Sequence, residues 1–171
     1  MIAEVERQYQ SVLALVDRHG LAIPCLPGSG SLPPVAFTVG GAAQGMPDLV
    51  VLGLGGELAH NVLNNTFRQL RSLWPCKDGT RIEGVLDGLV VGVRDVSDSD
   101  LLDRTMFPTA LFNKRRGHDQ TSIFQVCWPD RRGLLPYEQG CDPATVAIQG
   151  GHDYWKQISQ WAGADLAQGG A

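Results

Sequence analysis

Pro47-Asp48-Leu49-Val50-Val51-Leu52-Gly53-Leu54-Gly55-Gly56-Glu57-Leu58-Ala59-His60 changes its period half-way along. Asp48 to Leu54 is a nearly unbroken apolar run rich in valine and leucine. Alternation disappears when neither face of a strand meets water, so the run predicts a central strand covered on both sides. Gly55-Gly56 ends it. From Glu57 to Leu73 the apolar residues return at helical spacing: Leu58, Val62, Leu63, Phe67, Leu70 and Leu73. Asn61, Asn64, Asn65, Arg68 and Arg71 take the other side, which predicts an amphipathic helix.

Outward from this pair, the elements are short and closely punctuated. On the N-terminal side, Val5, Tyr9, Val12 and Val16 predict a helix over 2–19, with Gly20 as its C-terminal cap. Leu21 to Cys25 reads as a short strand. Pro27-Gly28-Ser29-Gly30-Ser31-Leu32-Pro33-Pro34 is a loop, and Val35 to Val39 a strand stopped by Gly40-Gly41. On the C-terminal side, Thr80 to Asp95 predicts a hairpin around Asp87-Gly88. Ser97-Asp98-Ser99-Asp100 offers N-caps for a helix that Pro108 disturbs and Lys114-Arg115-Arg116-Gly117 ends. Ser122 to Trp128 is another strand. Beyond Pro129 the pattern is irregular, with a short helix near His152 to Trp161 and a frayed end over 167–171. Strands outnumber helices and short turns join them. The fold class expected is α+β, a single domain with a mainly antiparallel or mixed β-sheet and helices packed on one face.

Totals bound what such a domain can do. The 171 residues suit one domain, and 43% hydrophobic with 19% charged residues is a globular composition. A net charge of −4 argues against nucleic acid, whose phosphates demand a positive footprint. No stretch reaches the roughly 18 apolar residues of a membrane span. The start, Met1-Ile2-Ala3-Glu4-Val5-Glu6-Arg7, lacks the basic head and apolar run of a signal peptide, so a cytoplasmic location is expected. Cys25, Cys76, Cys127 and Cys141 form no CxxC pair and are expected as free thiols.

Fragments of chemical motifs occur, each incomplete. Gly53-Leu54-Gly55-Gly56 lies where a phosphate-binding loop would, yet position 58 is leucine where the dinucleotide fingerprint needs glycine. A plain strand-to-helix turn is the expectation there. Glu57-x-x-His60 is half of a carboxylate-bridged metal pair; His60, with Glu57 and a distant His152, is the metal candidate, and no firm metal site or cofactor is implied. Trp128-Pro129-Asp130 spells the acid loop of tyrosine phosphatases, whose nucleophilic cysteine is followed by arginine six positions on. Ser31, Ile82, Gly133 and Ala147 stand at those positions, and the phosphatase reading fails. Instead Trp128 is expected to pack, Pro129 to stop the strand and Asp130 to shape a turn.

Several segments together resemble a bacterial family of domains of unknown function. They are Phe37-Thr38-Val39-Gly40, then Gly45-Met46-Pro47-Asp48-Leu49-Val50-Val51, Gln125-Val126-Cys127-Trp128-Pro129-Asp130 and Pro136-Tyr137-Glu138-Gln139-Gly140. The resemblance runs over about residues 10–143. It implies a single domain over 1–143 followed by a partly irregular C-terminal extension over 144–171. Members tend to carry tyrosine at 37, histidine at 46, glutamate at 48 and tryptophan at 137, so this chain departs at Phe37, Met46, Asp48 and Tyr137.

Two functional readings lead, ahead of a metal protein built on His60 and Glu57 and of nucleic-acid binding through the basic runs at 114–116 and 131–132. The first is a binding or interaction protein, regulatory or immunity-like, with a protein partner or a homo-oligomer as its assembly. The binding candidates are Thr38, Gln125, Trp128 and Tyr137. The second is an enzyme acting on a small molecule, with Asp130 and Glu138 as the acid/base pair. Geometry discriminates: two carboxylates lining one pocket favour the enzyme, and carboxylates that cap backbone groups count against it. The basic runs Lys114-Arg115-Arg116 and Arg131-Arg132 are expected as solvated loops.

Overall fold

The computed structural model describes residues 2–30, 32–99, 105–118 and 122–149. The Asp100 cap, His152, the helix expected near His152 to Trp161 and the end at 167–171 lie outside the described residues. Among the described residues six strands and four α-helices follow in the order α1 (Ile2–His19), β1 (Cys25–Leu26), β2 (Val35–Phe37), β3 (Asp48–Leu52), α2 (Gly56–Leu70), β4 (Arg81–Leu86), β5 (Leu89–Asp95), α3 (Phe107–Arg115), β6 (Ile123–Cys127) and α4 (Pro143–Gln149). A 3-10 turn, Ala42–Gln44, precedes β3. The architecture is α+β.

The strands form one mixed sheet in the order β1-β2-β3-β6-β5-β4. β3 and β6 run parallel at its centre, with Asp48 opposite Ile123 and Val50 opposite Gln125. Every other pairing is antiparallel. A parallel neighbour needs a long crossover, and here it carries α2, the β4–β5 hairpin and α3. The hairpin turns at Asp87-Gly88, where Gly88 has φ +68°.

Helices cover both faces of this sheet, not the one face expected. β3 shows why: side chains alternate across a strand, so the unbroken apolar run from Leu49 to Leu52 must find apolar cover on both sides. Val50 and Leu52 join Val35, Phe37, Val39 and Ile123 against Tyr9 and Val16 of α1 and Phe112 of α3. Leu49 and Val51 join Val91, Val93, Phe124 and Val126 against Ala59, Val62, Leu63, Phe67 and Leu70 of α2. Leu49, Leu52, Leu63 and Leu70 are fully buried; truncating one to alanine would remove about 2–5 kcal/mol.

Two helix readings change. On α2 the buried stripe uses Ala59 and Thr66, while Leu58 and Leu73 are 47% and 45% exposed. Pro108 does not disturb α3: it sits in the first turn, where a missing N–H leaves no bond unmade. Gly117, with φ +74°, follows that helix.

Candidate functional site

Because β3 and β6 are parallel, their carboxyl ends emerge at the same edge of the sheet, where clefts form in sheets of this kind. β3 ends at Leu52, and Gly53 turns the chain with φ +81°. A Cβ at Gly53 would overlap Ile148 of α4 and press on the Trp128 ring, so glycine is required twice over. The Trp128 indole Nε1–H donates to Leu52 O (2.8 Å), tying the two strand ends together. Gln149 completes the clamp. Its Nε2 donates to Trp128 O (2.8 Å) and its Oε1 accepts the Trp128 N–H (2.8 Å), as a paired strand would. Gln125 Nε2 donates to Gln149 O (2.7 Å).

Clefts ring this edge. One of about 530 Å³ lies between Leu32, Pro33, Pro34, Gly53, Ala147 and Ile148. A second, of about 410 Å³, is lined by Trp128, Pro129, Asp130, Arg131, Arg132, Asp142 and Thr145. A smaller one runs from Cys25 and Leu26 to Leu54 and Ala59, and an open one lies along Gly55 to Asn61. Leu26, Leu58 and Ile148 stand exposed around them.

The carboxylates expected to do chemistry serve the backbone. Asp130 is buried, and its Oδ1 accepts the N–H groups of Arg132 (2.8 Å) and Leu134 (3.0 Å). Its Oδ2 accepts the Asp142 N–H (2.9 Å). These donors, Asp142 and Leu134 foremost, hold its pKa down to about 2. Glu138 accepts the Leu135 N–H (2.8 Å) and pairs with Arg81. Asp130 lines the 410 Å³ cleft and Glu138 is not among that cleft's walls. The two carboxylates cap successive turns of one loop.

The other candidates separate. Trp128 and Gln125 meet at the clamp. Tyr137 lies on β5, its ring under the Arg94 guanidinium (4.8 Å) and its hydroxyl against Gly92, and burial pushes its pKa up to about 12. Cys127 is buried and likewise pushed up to about 12, so it is no thiolate nucleophile. All four cysteines are free. His60 and Glu57 are exposed on α2, and among the described residues no three His, Cys, Asp or Glu side chains gather to hold a metal. Arg115 and Arg116 of the basic run bridge to Glu6 and Asp17 of α1. Among the described residues no helix is long and apolar enough to cross a membrane.

Thr38 lies at the opposite end of the sheet, in a buried polar cluster that sequence reasoning missed. Its Oγ1 donates to Asp48 Oδ1 (2.8 Å) and accepts the Leu49 N–H (2.8 Å). The Gly41 N–H also donates to Asp48 Oδ1 (2.9 Å), and Thr109 Oγ1 of α3 donates to Thr38 O (2.8 Å). Asp48 is fully buried, and its Oδ2 makes no hydrogen bond of ordinary geometry. Burial pushes its pKa up to about 6, against hydrogen bonds from Gly41, Thr38, Ala42 and Asn113 that act the other way. The signal was one acidic residue heading an apolar strand, seven residues after Gly41.

A family model described as a domain of unknown function (DUF4262) matches residues 15–142. No curated protein and no solved structure matches the chain.

Proposed function

The chain belongs to the DUF4262 family of domains of unknown function, and from that premise we propose that it is a binding protein of the bacterial cytoplasm, regulatory or immunity-like in kind. Its partner is another protein chain, met at the edge where β3 and β6 end. One observation carries this reading: all three oxygen-bound backbone donors of Asp130, and the Leu135 N–H with Arg81 at Glu138, occupy the carboxylates an enzyme would need free. A general base must reach its proton, and a group fixed low by backbone N–H donors is a poor base near neutral pH. What the edge does offer is shape and exposed apolar surface, at Leu26 of β1, Leu58 of α2 and Ile148 of α4.

Native mass spectrometry of the protein as purified from cells, set against its denatured mass, tests the reading. The expected result is the bare chain mass or a whole multiple of it. A small molecule or metal retained in stoichiometric amount would overturn the proposal in favour of a ligand-processing site.

A further inference from the structure

The cleft of about 530 Å³ at the carboxyl end of the sheet has two fixed walls, and none of its lining residues is charged. One wall is the loop between β1 and β2. Ser29 and Leu32 exchange backbone hydrogen bonds there (3.1 and 3.0 Å), and the Gly53 N–H donates to Pro34 O (2.9 Å). The loop is closely packed at Gly28, where a Cβ would lie 2.7 Å from Leu32 O. The other wall is the end of α4, where Ala147 and Ile148 are exposed and Gln149 is clamped to Trp128. The neighbouring cleft of about 410 Å³, by contrast, has Asp130, Arg131, Arg132 and Asp142 in its walls.

Residues 150–171, which lie outside the described residues, leave directly from the second wall. Their sequence, beginning Gly150-Gly151-His152-Asp153-Tyr154-Trp155-Lys156-Gln157-Ile158-Ser159-Gln160-Trp161, is not that of a solvated tail. Solvated segments are poor in aromatic residues, and two of the protein's four tryptophans are here. Tyr154, Ile158 and Trp161 stand at i, i+4 and i+7 with Trp155 beside them, an apolar stripe at helical spacing. We propose that residues 150–171 turn back and dock this stripe in the 530 Å³ cleft of their own chain, covering the edge at which a partner is met. Gly150-Gly151, without Cβ atoms, permits the reversal. The stretch from Gln149 to Trp155 spans about 20 Å when extended, enough to cross a cleft of this size. Indole and phenol rings suit the proline rings and aliphatic groups of Leu32, Pro33, Pro34 and Ile148. The charged neighbouring cleft would have to lose solvation to take them. A tether this short sets an effective concentration on the order of millimolar, so a modest contact keeps the cleft covered and a tighter-binding partner displaces it. The inference rests on the reading of this edge as a docking surface and adds its control: the chain competes for its own site.

NMR on the full chain, with isoleucine, leucine and tryptophan labelled, reads the contact. Nuclear Overhauser contacts are expected from the Trp155 or Trp161 indole to the methyl groups of Ile148 and Leu32. In a mixture of labelled and unlabelled chains, the same contacts should be absent between chains. Trp155→Ala combined with Trp161→Ala should move the Ile148 and Leu32 methyl signals and leave those of Ile82 and Ile123, deep in the core, where they are. A wild type without indole contacts at Ile148, or an Ile148 signal unmoved by the paired substitution, would overturn the inference. Contacts found only between chains would overturn it too, and would assign the cleft to a second copy. If the paired variant loses its fold, seen as movement of Ile82 and Ile123, the wild-type contacts decide alone. Failure here leaves the edge open to another protein. A small molecule retained in the native mass spectrum would instead remove the docking reading and leave the indole contacts as measured.

Discussion

Two buried aspartates sit at opposite ends of the central parallel pair, and the protein treats them in opposite ways. Asp130, just past the carboxyl end of β6, spreads three backbone N–H donors over both its oxygens. Asp48, at the amino end of β3, takes the Thr38 hydroxyl and the Gly41 N–H on one oxygen, and its Oδ2 makes no hydrogen bond of ordinary geometry. Depth and donors act together: Asp130 lies near the surface with the Arg132 guanidinium 3.6 Å from Oδ2, and Asp48 lies deep with only neutral donors. At Asp130 the backbone donors foremost hold the pKa down to about 2, and at Asp48 desolvation wins and raises it to about 6. One carboxylate stabilises its ionised fold and the other opposes it.

The largest expected effect is at Asp130. Asp130→Ala strips three N–H groups of their acceptor and frees the loop from Asp130 to Asp142. Its melting temperature at neutral pH should fall by roughly 5–10 °C. Calorimetry checks it, and an unchanged transition would remove the structural reading of this residue. The sign with pH is fixed too. A folded pKa below the unfolded one gives stability that is present above about pH 4 and lost as pH falls toward about 2.

Gln149→Ala comes next, at the same end. It deprives the Trp128 N–H and C=O of the side chain that pairs them, and leaves α4 tied to β6 through Gln125 and the Gln149 main-chain carbonyl. The expected loss is about 2–3 kcal/mol in denaturant titrations, since a partly buried backbone pair is left unmatched. A loss under about 0.5 kcal/mol would mean that water replaces the clamp without penalty.

Asp48→Asn should move stability the other way. A folded pKa raised above the unfolded value means that stability from the protonated group is present below about pH 4 and lost as pH rises through about 6. The uncharged asparagine escapes that loss. Above about pH 7 the variant should be more stable than the wild type by about 1–3 kcal/mol, and the difference should vanish near pH 4. Denaturant titrations at several pH values check this. A variant less stable at every pH would show that the carboxylate is better solvated than its surroundings imply.

How far this contrast was legible in the sequence follows from the range of each interaction. The central strand, the α2 helix, the hairpin at Asp87-Gly88 and the turn at Asp130 are local patterns, and local periods and turn residues predict them. Cover on both faces was implicit in the unbroken Leu49–Leu52 run, but the antiparallel majority of strands pointed to one face. Gln149 escaped because a side chain that mimics a strand 21 residues away leaves no periodic trace. Thr145 and Gln149, one helical turn apart and both buried, were its only mark. Asp48 read as one polar residue in a strand, because whether a buried acid is charged depends on donors from Gly41, Thr38 and α3 that only the fold assembles.

The smallest effect is expected at Glu138, and it sharpens the contrast by supplying a control. Glu138 caps the Leu135 N–H as Asp130 caps its own turn, but it is half-buried and shares its charge with an exposed Arg81. Glutamine keeps an oxygen for the Leu135 N–H and loses only an ion pair that water screens. Glu138→Gln should therefore change stability by less than about 1 kcal/mol, as surface pairs do. Asp130→Asn, with the same loss of charge, should be clearly worse, because three donors compete for the one oxygen that remains. If the two amide variants prove equally mild in the same titration, the charge on Asp130 contributes little. The turn would then be held by any acceptor of the right shape, and the difference between the two ends of the sheet would come down to Asp48 alone.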